Sequence, residues 1–91
     1  MLKISEIDSA DHTVTFRLEG RVAGPWVVEM RRACEKVLNN GRRLKLNLAE
    51  VLYADQSGVT ALAGLKSRGV SLAECSPFLA EQLRAGSSGQ R

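Results

Sequence analysis

The stretch from Leu44 to Gly58 constrains the fold of this chain most, because it joins two different periodicities through a short polar turn. Leucines at positions 44, 46 and 48 alternate with polar residues, which predicts a β-strand. After the turn Asp55-Gln56-Ser57-Gly58, apolar residues recur at helical spacing from Val59 onwards. The sequence therefore predicts a strand, a turn at its carboxyl end, and a helix.

Two strands are predicted upstream of this unit. The first covers Leu2 to Ile7, and the second is the clearest in the chain, with Val14, Phe16 and Leu18 alternating with polar residues. The short link between them is rich in turn formers, so the pair is expected to form an antiparallel hairpin.

Helix boundaries are marked by proline, glycine and serine. Gly24-Pro25 is expected to start the first helix and Asn39-Asn40-Gly41 to end it. The second helix is predicted over Ser57 to Ser67 and is followed by a strand at Val70–Glu74, after which Ser76-Pro77 begins the last helix. The predicted inward-facing residues of the first helix are Trp26, Val27, Met30, Ala33, Cys34, Val37 and Leu38, and those of the last are Phe78, Leu79 and Leu83.

The order β-β-α-β-α-β-α predicts an α/β domain. Strands two, three and four should be parallel, giving a single mixed four-stranded sheet with the helices mainly on one face. Residues 1–85 are expected to form this domain, and residues 86–91, which are small and polar, a flexible tail. The predicted core places Val14, Phe16, Leu18, Leu44, Leu46 and Leu48 under Trp26 and Met30.

The amino-acid composition disfavours several classes of protein. The 91 residues suffice for one domain, and a net charge of +3 arises from scattered basic residues among few aromatic ones, which disfavours nucleic-acid binding. Cys34 and Cys75 lack metal or redox spacing and are expected to be buried free thiols, as suits a reducing cytoplasm. Without a membrane-length apolar run or a signal-peptide pattern, we expect a cytoplasmic protein that does not insert into a membrane.

Catalytic and metal-binding patterns are not evident. Asp8, Asp11 and His12 cluster in the hairpin turn, where a solvated polar turn explains them better than a metal site. The sequence contains no Ser-His-acid arrangement with a nucleophile elbow, and its glycines form no phosphate loop. We therefore expect no enzymatic activity, no metal and no cofactor.

Ser57 is the residue with two interpretations. At or near the N-cap of the second helix, a serine satisfies free backbone N–H groups and faces the positive end of the helix dipole. A phosphate at the same place would be held by the same donors. From the residues alone, a plain helix cap is the simpler interpretation, and a switch remains the alternative.

The motifs and their order resemble the STAS family, named for sulfate transporters and anti-sigma factor antagonists. Leu18-Glu19-Gly20-Arg21-Val22 resembles the end of that family's second strand, and Leu46 to Val51 its third, with Asn47 where aspartate is usual. Asp55-Gln56-Ser57-Gly58-Val59 is similar to the family's aspartate-serine-serine-glycine-aliphatic signature, with Gln56 replacing the first serine. The resemblance covers residues 2 to 84.

The resemblance implies a function. In bacterial members the serine or threonine before that glycine is phosphorylated by a cognate kinase, so Ser57 would be the phosphoacceptor of a partner switch. The partner would be an anti-sigma factor and serine kinase of the histidine-kinase-like ATPase type, in contact with Asp55, Gln56, Ser57, Gly58 and Thr60. The alternative is a cytoplasmic subunit of an ABC-type lipid transporter, with Ser57 as a contact of the transporter ATPase. An unsuspected small enzyme is the third hypothesis, and the oligomeric state stays open.

Overall fold

The computed structural model describes residues 1–10 and 12–88, and the side chains of these as far as residue 84. The order of elements is the predicted β-β-α-β-α-β-α. The elements are β1 (Leu2–Ser9), β2 (Thr13–Val22), α1 (Pro25–Asn39), β3 (Arg43–Ala54), α2 (Gln56–Ser67), β4 (Ser71–Ala73) and α3 (Pro77–Ser88).

A single four-stranded sheet with the strand order β1-β2-β3-β4 forms the frame of the molecule. β1 pairs with β2 antiparallel, and Ile4 lies opposite Leu18. β2 and β3 are parallel, with Phe16 opposite Leu46, and β4 continues the sheet parallel to β3. The predicted hairpin and the predicted parallel strands are both confirmed.

The core lies between one face of the sheet and the helices. Side chains that alternate along β2 and β3 are buried on this face, while their neighbours, such as Arg17 and Lys45, are exposed on the other. α1 contributes Val27, Met30 and Cys34 to the same core. The apolar residues that alternate along the strands therefore pack against the apolar stripe of the helix in one hydrophobic cluster. The most completely buried side chains are Leu18, Met30, Leu46, Leu48, Leu62, Val14, Val22 and Cys34.

Two aromatic side chains predicted to be internal are exposed. Trp26 lies in the first turn of α1 and is 38% exposed, because the buried stripe runs through Val27 and Met30, one residue further along the helix. Phe78 is 64% exposed, because α3 turns Leu79 and Leu83 inward instead. Both predictions of a core aromatic were wrong, whereas Phe16 is buried as expected.

β3 is longer than the sequence pattern indicated, since it continues past Leu48 through two irregularities of register opposite β2. Each inserts an extra residue and so changes which face the following side chains occupy. Leu52 and Tyr53 are consequently both exposed, at 77% and 47%, while Ala54 is buried. The alternation of apolar and polar residues that identified the strand does not hold across these irregularities. The end of β3 could therefore not be predicted from the sequence.

β4 is shorter than predicted. Glu74 adopts a left-handed backbone with φ of 60°, which ends the strand at Ala73. Three residues after β4, the hydroxyl of Ser76 accepts a hydrogen bond from the backbone N–H of Leu79 and starts α3 where predicted. The backbone of residues 86–88 belongs to α3, and residues 89–91 lie outside the described residues, so a domain boundary at residue 85 stays a prediction.

Candidate functional site

Asp55, rather than Ser57, is the N-cap of α2. Its backbone is extended, and its carboxylate Oδ1 accepts a hydrogen bond of 2.7 Å from the backbone N–H of Gly58. Ser57, which was expected at or near the N-cap, is the second residue of the helix and lies two positions beyond the cap. An aspartate caps a helix as well as a serine does, and its negative charge also faces the helix dipole.

The Ser57 side chain lies on the surface beside this cap. Ser57 is exposed, and its Oγ donates a hydrogen bond of 2.9 Å to Oδ1 of Asp55. The hydroxyl therefore adds a donor to the capping carboxylate and satisfies no backbone N–H group by itself. The simple cap interpretation of Ser57 is thus removed by the geometry, while its hydroxyl remains open to solvent.

The second oxygen of Asp55 connects two loops. Oδ2 accepts a hydrogen bond of 3.0 Å from the backbone N–H of Gly24, which precedes α1 and has a φ of 59°. The backbone N–H of Asp55 donates to the carbonyl of Val22, at 3.2 Å. The start of α2 is therefore fixed to the end of β2 and to the start of α1 through one residue.

Hydrogen bonds hold the Asp55 carboxylate in its charged form. The backbone N–H groups of Gly24 and Gly58, together with the hydroxyl of Ser57, lower the pKa of Asp55 below its ordinary value of 3.8. A carboxylate stabilised in this way is a fixed negative charge at neutral pH. Any further anion placed on Ser57 would lie beside that charge.

Gly58 is buried between α2 and the end of β2. A Cβ atom at this position would overlap the carbonyl oxygen of Val22, the same oxygen that accepts the bond from Asp55. The glycine of the Asp-Gln-Ser-Gly turn is therefore a packing residue. It allows the helix to begin directly against the sheet, which keeps Ser57 at the carboxyl edge.

A groove between α1 and α2 opens next to Ser57, and we call it the α1–α2 groove. It has a volume of about 590 Å³. Arg68 and Glu35 join the two helices across it through an ion pair of 2.6 Å, which lowers the pKa of Glu35. The residues lining the α1–α2 groove are Gly24, Val27, Val28, Arg31, Glu35, Ser57, Thr60, Ala61, Gly64, Leu65 and Arg68.

The structure brings together most of the residues predicted to contact a partner. Asp55, Gln56 and Ser57 form the exposed or half-exposed start of α2, and Thr60 is exposed one turn later. Gly58 lies beneath them and is buried. Neither the backbone donor at Gly24 nor the groove wall on α1 could be inferred from the sequence, although the Gly24-Pro25 pair marks a sharp turn there.

Other candidate chemistry has little support among the described residues. No group of three or more His, Cys, Asp or Glu side chains within residues 1–10 and 12–88 could hold a metal ion, and Asp11 of the hairpin turn lies outside these residues. Burial raises the pKa of the Cys34 thiol to about 12, and Cys75 is half-buried with a raised pKa. In the part of the chain that the structure describes, no helix is long and apolar enough to span a membrane.

A mixed sheet in the order β1-β2-β3-β4, covered by helices and with the Asp55–Gly58 turn at its carboxyl edge, defines a STAS-like domain. A solved structure with this fold is that of the anti-sigma factor antagonist SpoIIAA in its unphosphorylated form. The two superimpose with a TM-score of 0.71 over 90% of this chain and 82% of that one, at 20% sequence identity. No protein-family model matches the sequence, and no curated protein matches it significantly.

Proposed function

We propose that this chain is a non-enzymatic protein-binding module, similar in action to an anti-sigma factor antagonist, in which phosphorylation of Ser57 changes the partner. The observation that carries the proposal is the exposed Ser57 hydroxyl, bonded to the capping Asp55 at the start of α2. The exposure of this hydroxyl, within a network of hydrogen bonds at the start of a helix, supports a role as the acceptor of a phosphate.

Exposed residues close to Ser57 in the sequence have side chains suited to a protein interface. Thr60 lies one turn further along α2, and Leu52 and Tyr53 are exposed just before the Asp55 turn. Exposed apolar side chains next to polar groups are typical of protein-binding surfaces, where tyrosine contributes much of the affinity. The unmodified protein would use this surface to bind its partner.

Phosphorylation would change the charge of this surface without requiring a change of fold. A phosphate adds about −1.5 to −2 charges at pH 7 and replaces the proton that Ser57 donates to Asp55. The dipole at the start of α2 favours an anion, which offsets part of the repulsion by the Asp55 carboxylate. The effect would therefore appear at the interface, through repulsion and through the cost of desolvating the phosphate.

The proposed partner is an anti-sigma factor and serine kinase of the histidine-kinase-like ATPase type, in the cytoplasm. Such an enzyme would hold the start of α2 so that Ser57 Oγ attacks the γ-phosphorus of ATP. The Oγ–P bond forms, the bond from phosphorus to the bridging oxygen of ADP breaks, and the hydroxyl proton passes to a base of the kinase. Before phosphorylation, binding of the unmodified protein through Asp55 and Gln56 would free the sigma factor that the kinase holds.

Calorimetric binding to the anti-sigma kinase encoded beside this gene tests the proposal. Ser57→Ala should bind as the wild type does, while Ser57→Asp and the enzymatically phosphorylated protein should lose about 1–3 kcal/mol of binding free energy. Aspartate has less charge than phosphate, so its effect should be the smaller. Ser71→Asp is the matched control, because Ser71 is exposed on β4 and its side chain lies on the face of the sheet away from the helices.

Equal affinities for all forms would remove the switch from the proposal. Equal and tight binding of all forms to an ABC-type transporter ATPase would instead support the alternative of a transporter subunit, in which Ser57 is a contact only. Loss of binding in Ser71→Asp as well would show that the added charge acts nonspecifically.

A further inference from the structure

Gln82 of α3 makes a polar contact with the turn that carries Asp55. Its side-chain Nε2 donates a hydrogen bond of 3.3 Å to the backbone carbonyl of Ala54, the last residue of β3. The other amide atom, Oε1, is buried and has no hydrogen-bond partner among the described residues. A buried unpaired acceptor costs free energy, so its presence needs an explanation.

The Ala54–Asp55 peptide bond is held from both sides. Its carbonyl accepts the bond from Gln82, and its N–H donates to the carbonyl of Val22. These two bonds fix the plane of the peptide immediately before the Asp55 Cα atom. The direction of the Asp55 side chain depends on that plane. This side chain accepts hydrogen bonds from Gly24, Gly58 and Ser57.

Apolar packing alone does not account for an amide at this position. Leu79 and Leu83, three residues before and one after Gln82, are both buried and anchor α3 in the core. A methionine at position 82 would fill similar space without leaving Oε1 unpaired. What the glutamine adds is a directed bond to one carbonyl oxygen.

We propose that Gln82 is a positioning residue for the Asp55–Ser57 pair, and that α3 thereby controls the geometry of the phosphoacceptor turn. Its importance for signalling rests on the proposed function, but the positioning itself does not. Displacement of α3, by a partner or by truncation, would release the Ala54 carbonyl and loosen the capping of α2 while leaving the sheet in place.

NMR spectroscopy of Gln82→Met tests the proposal without any partner. The pKa of the Asp55 carboxyl group, measured by its carbon chemical shift, should rise towards the ordinary value of 3.8. Amide hydrogen exchange of Gly24 and Gly58 should become faster by roughly two- to tenfold, as expected when one hydrogen bond no longer supports another. The amides of the β2–β3 ladder should exchange at unchanged rates.

Two further variants complete the experiment. Glu81→Gln, an exposed change on the same helix, should leave the Asp55 pKa and the exchange rates as they are in the wild type. Gln82→Glu places a carboxylate against the Ala54 carbonyl at neutral pH and should increase exchange at Gly58 even if the methionine variant does not fold. Wild-type values of the Asp55 pKa and of Gly24 and Gly58 exchange in a folded Gln82 variant would overturn the proposal. If the Gln82 variants change the Asp55 pKa and the exchange rates as expected but Ser57 is never phosphorylated, only the proposed function is contradicted.

Discussion

The Cα atom of Gly58 lies so close to the carbonyl oxygen of Val22 that no side chain fits between them. The first turn of α2 thus packs on the end of β2 through the backbone of Gly58 and Val22, next to the Val22 side chain. The same carbonyl accepts the N–H of Asp55, so the capping residue and the glycine three positions later share one anchoring point. This contact determines where the helix, and with it Ser57, meets the sheet.

Gly58→Ala should be strongly destabilising for this reason. The added methyl group overlaps backbone rather than a flexible side chain, and we expect a loss of about 1–3 kcal/mol in the free energy of unfolding, as for other overpacked sites. Denaturant unfolding followed by circular dichroism would measure it.

Gly64→Ala on the same helix is the control with the opposite sign. Gly64 is exposed, and nothing lies within 4 Å of the position that a Cβ would take. Alanine should therefore stabilise the protein by about 0.5–1 kcal/mol through helix propensity. Equal changes in the free energy of unfolding for the two substitutions would contradict the close packing of Gly58 on Val22.

Asp55 should make stability depend on pH in acid. Because hydrogen bonds lower its pKa in the folded protein, the unfolded chain takes up the proton at a higher pH than the folded one. The stabilisation is therefore present above about pH 4 and is lost as the pH falls through the folded value. Unfolding curves between about pH 6 and pH 2 would measure this.

Asp55→Asn isolates that contribution, since asparagine also caps helices but does not titrate. The variant should be less stable at neutral pH, because its amide nitrogen cannot accept the bond from Gly24, and its stability should fall less steeply in acid. Glu35 has a lowered pKa too, but it contributes equally to both proteins. If the stability of the wild type and of Asp55→Asn fell equally steeply with decreasing pH, the prediction would be contradicted.

Ser57→Ala should have little effect on folding, because Asp55 provides the cap. It removes one exposed hydrogen bond, and we expect a change below about 0.5 kcal/mol in the free energy of unfolding. Asp55→Ala should lower the melting temperature by on the order of 5 °C. Calorimetric melting of both variants tests this ranking, and the reverse order would return the capping role to Ser57.

Phe16 and Phe78 provide a matched pair for the core. Phe16 is buried against the helices, so Phe16→Ala should cost about 3–5 kcal/mol, most of the stability of a small domain. Phe78 is exposed on α3, so Phe78→Ala should change stability by less than about 0.5 kcal/mol. Thermal unfolding of both proteins gives the comparison, and an unchanged melting temperature for Phe16→Ala would refute the packing of β2.

Local patterns were sufficient for the order of the elements and for the buried face of β2. Alternation in β2 and the Gly24-Pro25 and Ser76-Pro77 starts depend on residues close in sequence, and the structure confirms them. The exposure of Trp26 and Phe78 was not predicted, because one helical residue of rotation decides which side chain faces the sheet. That rotation is set by packing against other elements.

The sequence by itself determined an α/β domain with a polar Asp55–Gly58 turn between a strand and a helix, because periodicity and turn residues act locally. The tertiary structure alone decided that Asp55 caps α2, that Gly58 rests on β2, and that Gln82 reaches the Ala54 carbonyl. The last two contacts join residues 36 and 28 positions apart, and chain periodicity carries no information about such pairs. Ser57 is consequently a surface hydroxyl beside a cap, a role that only the folded chain defines.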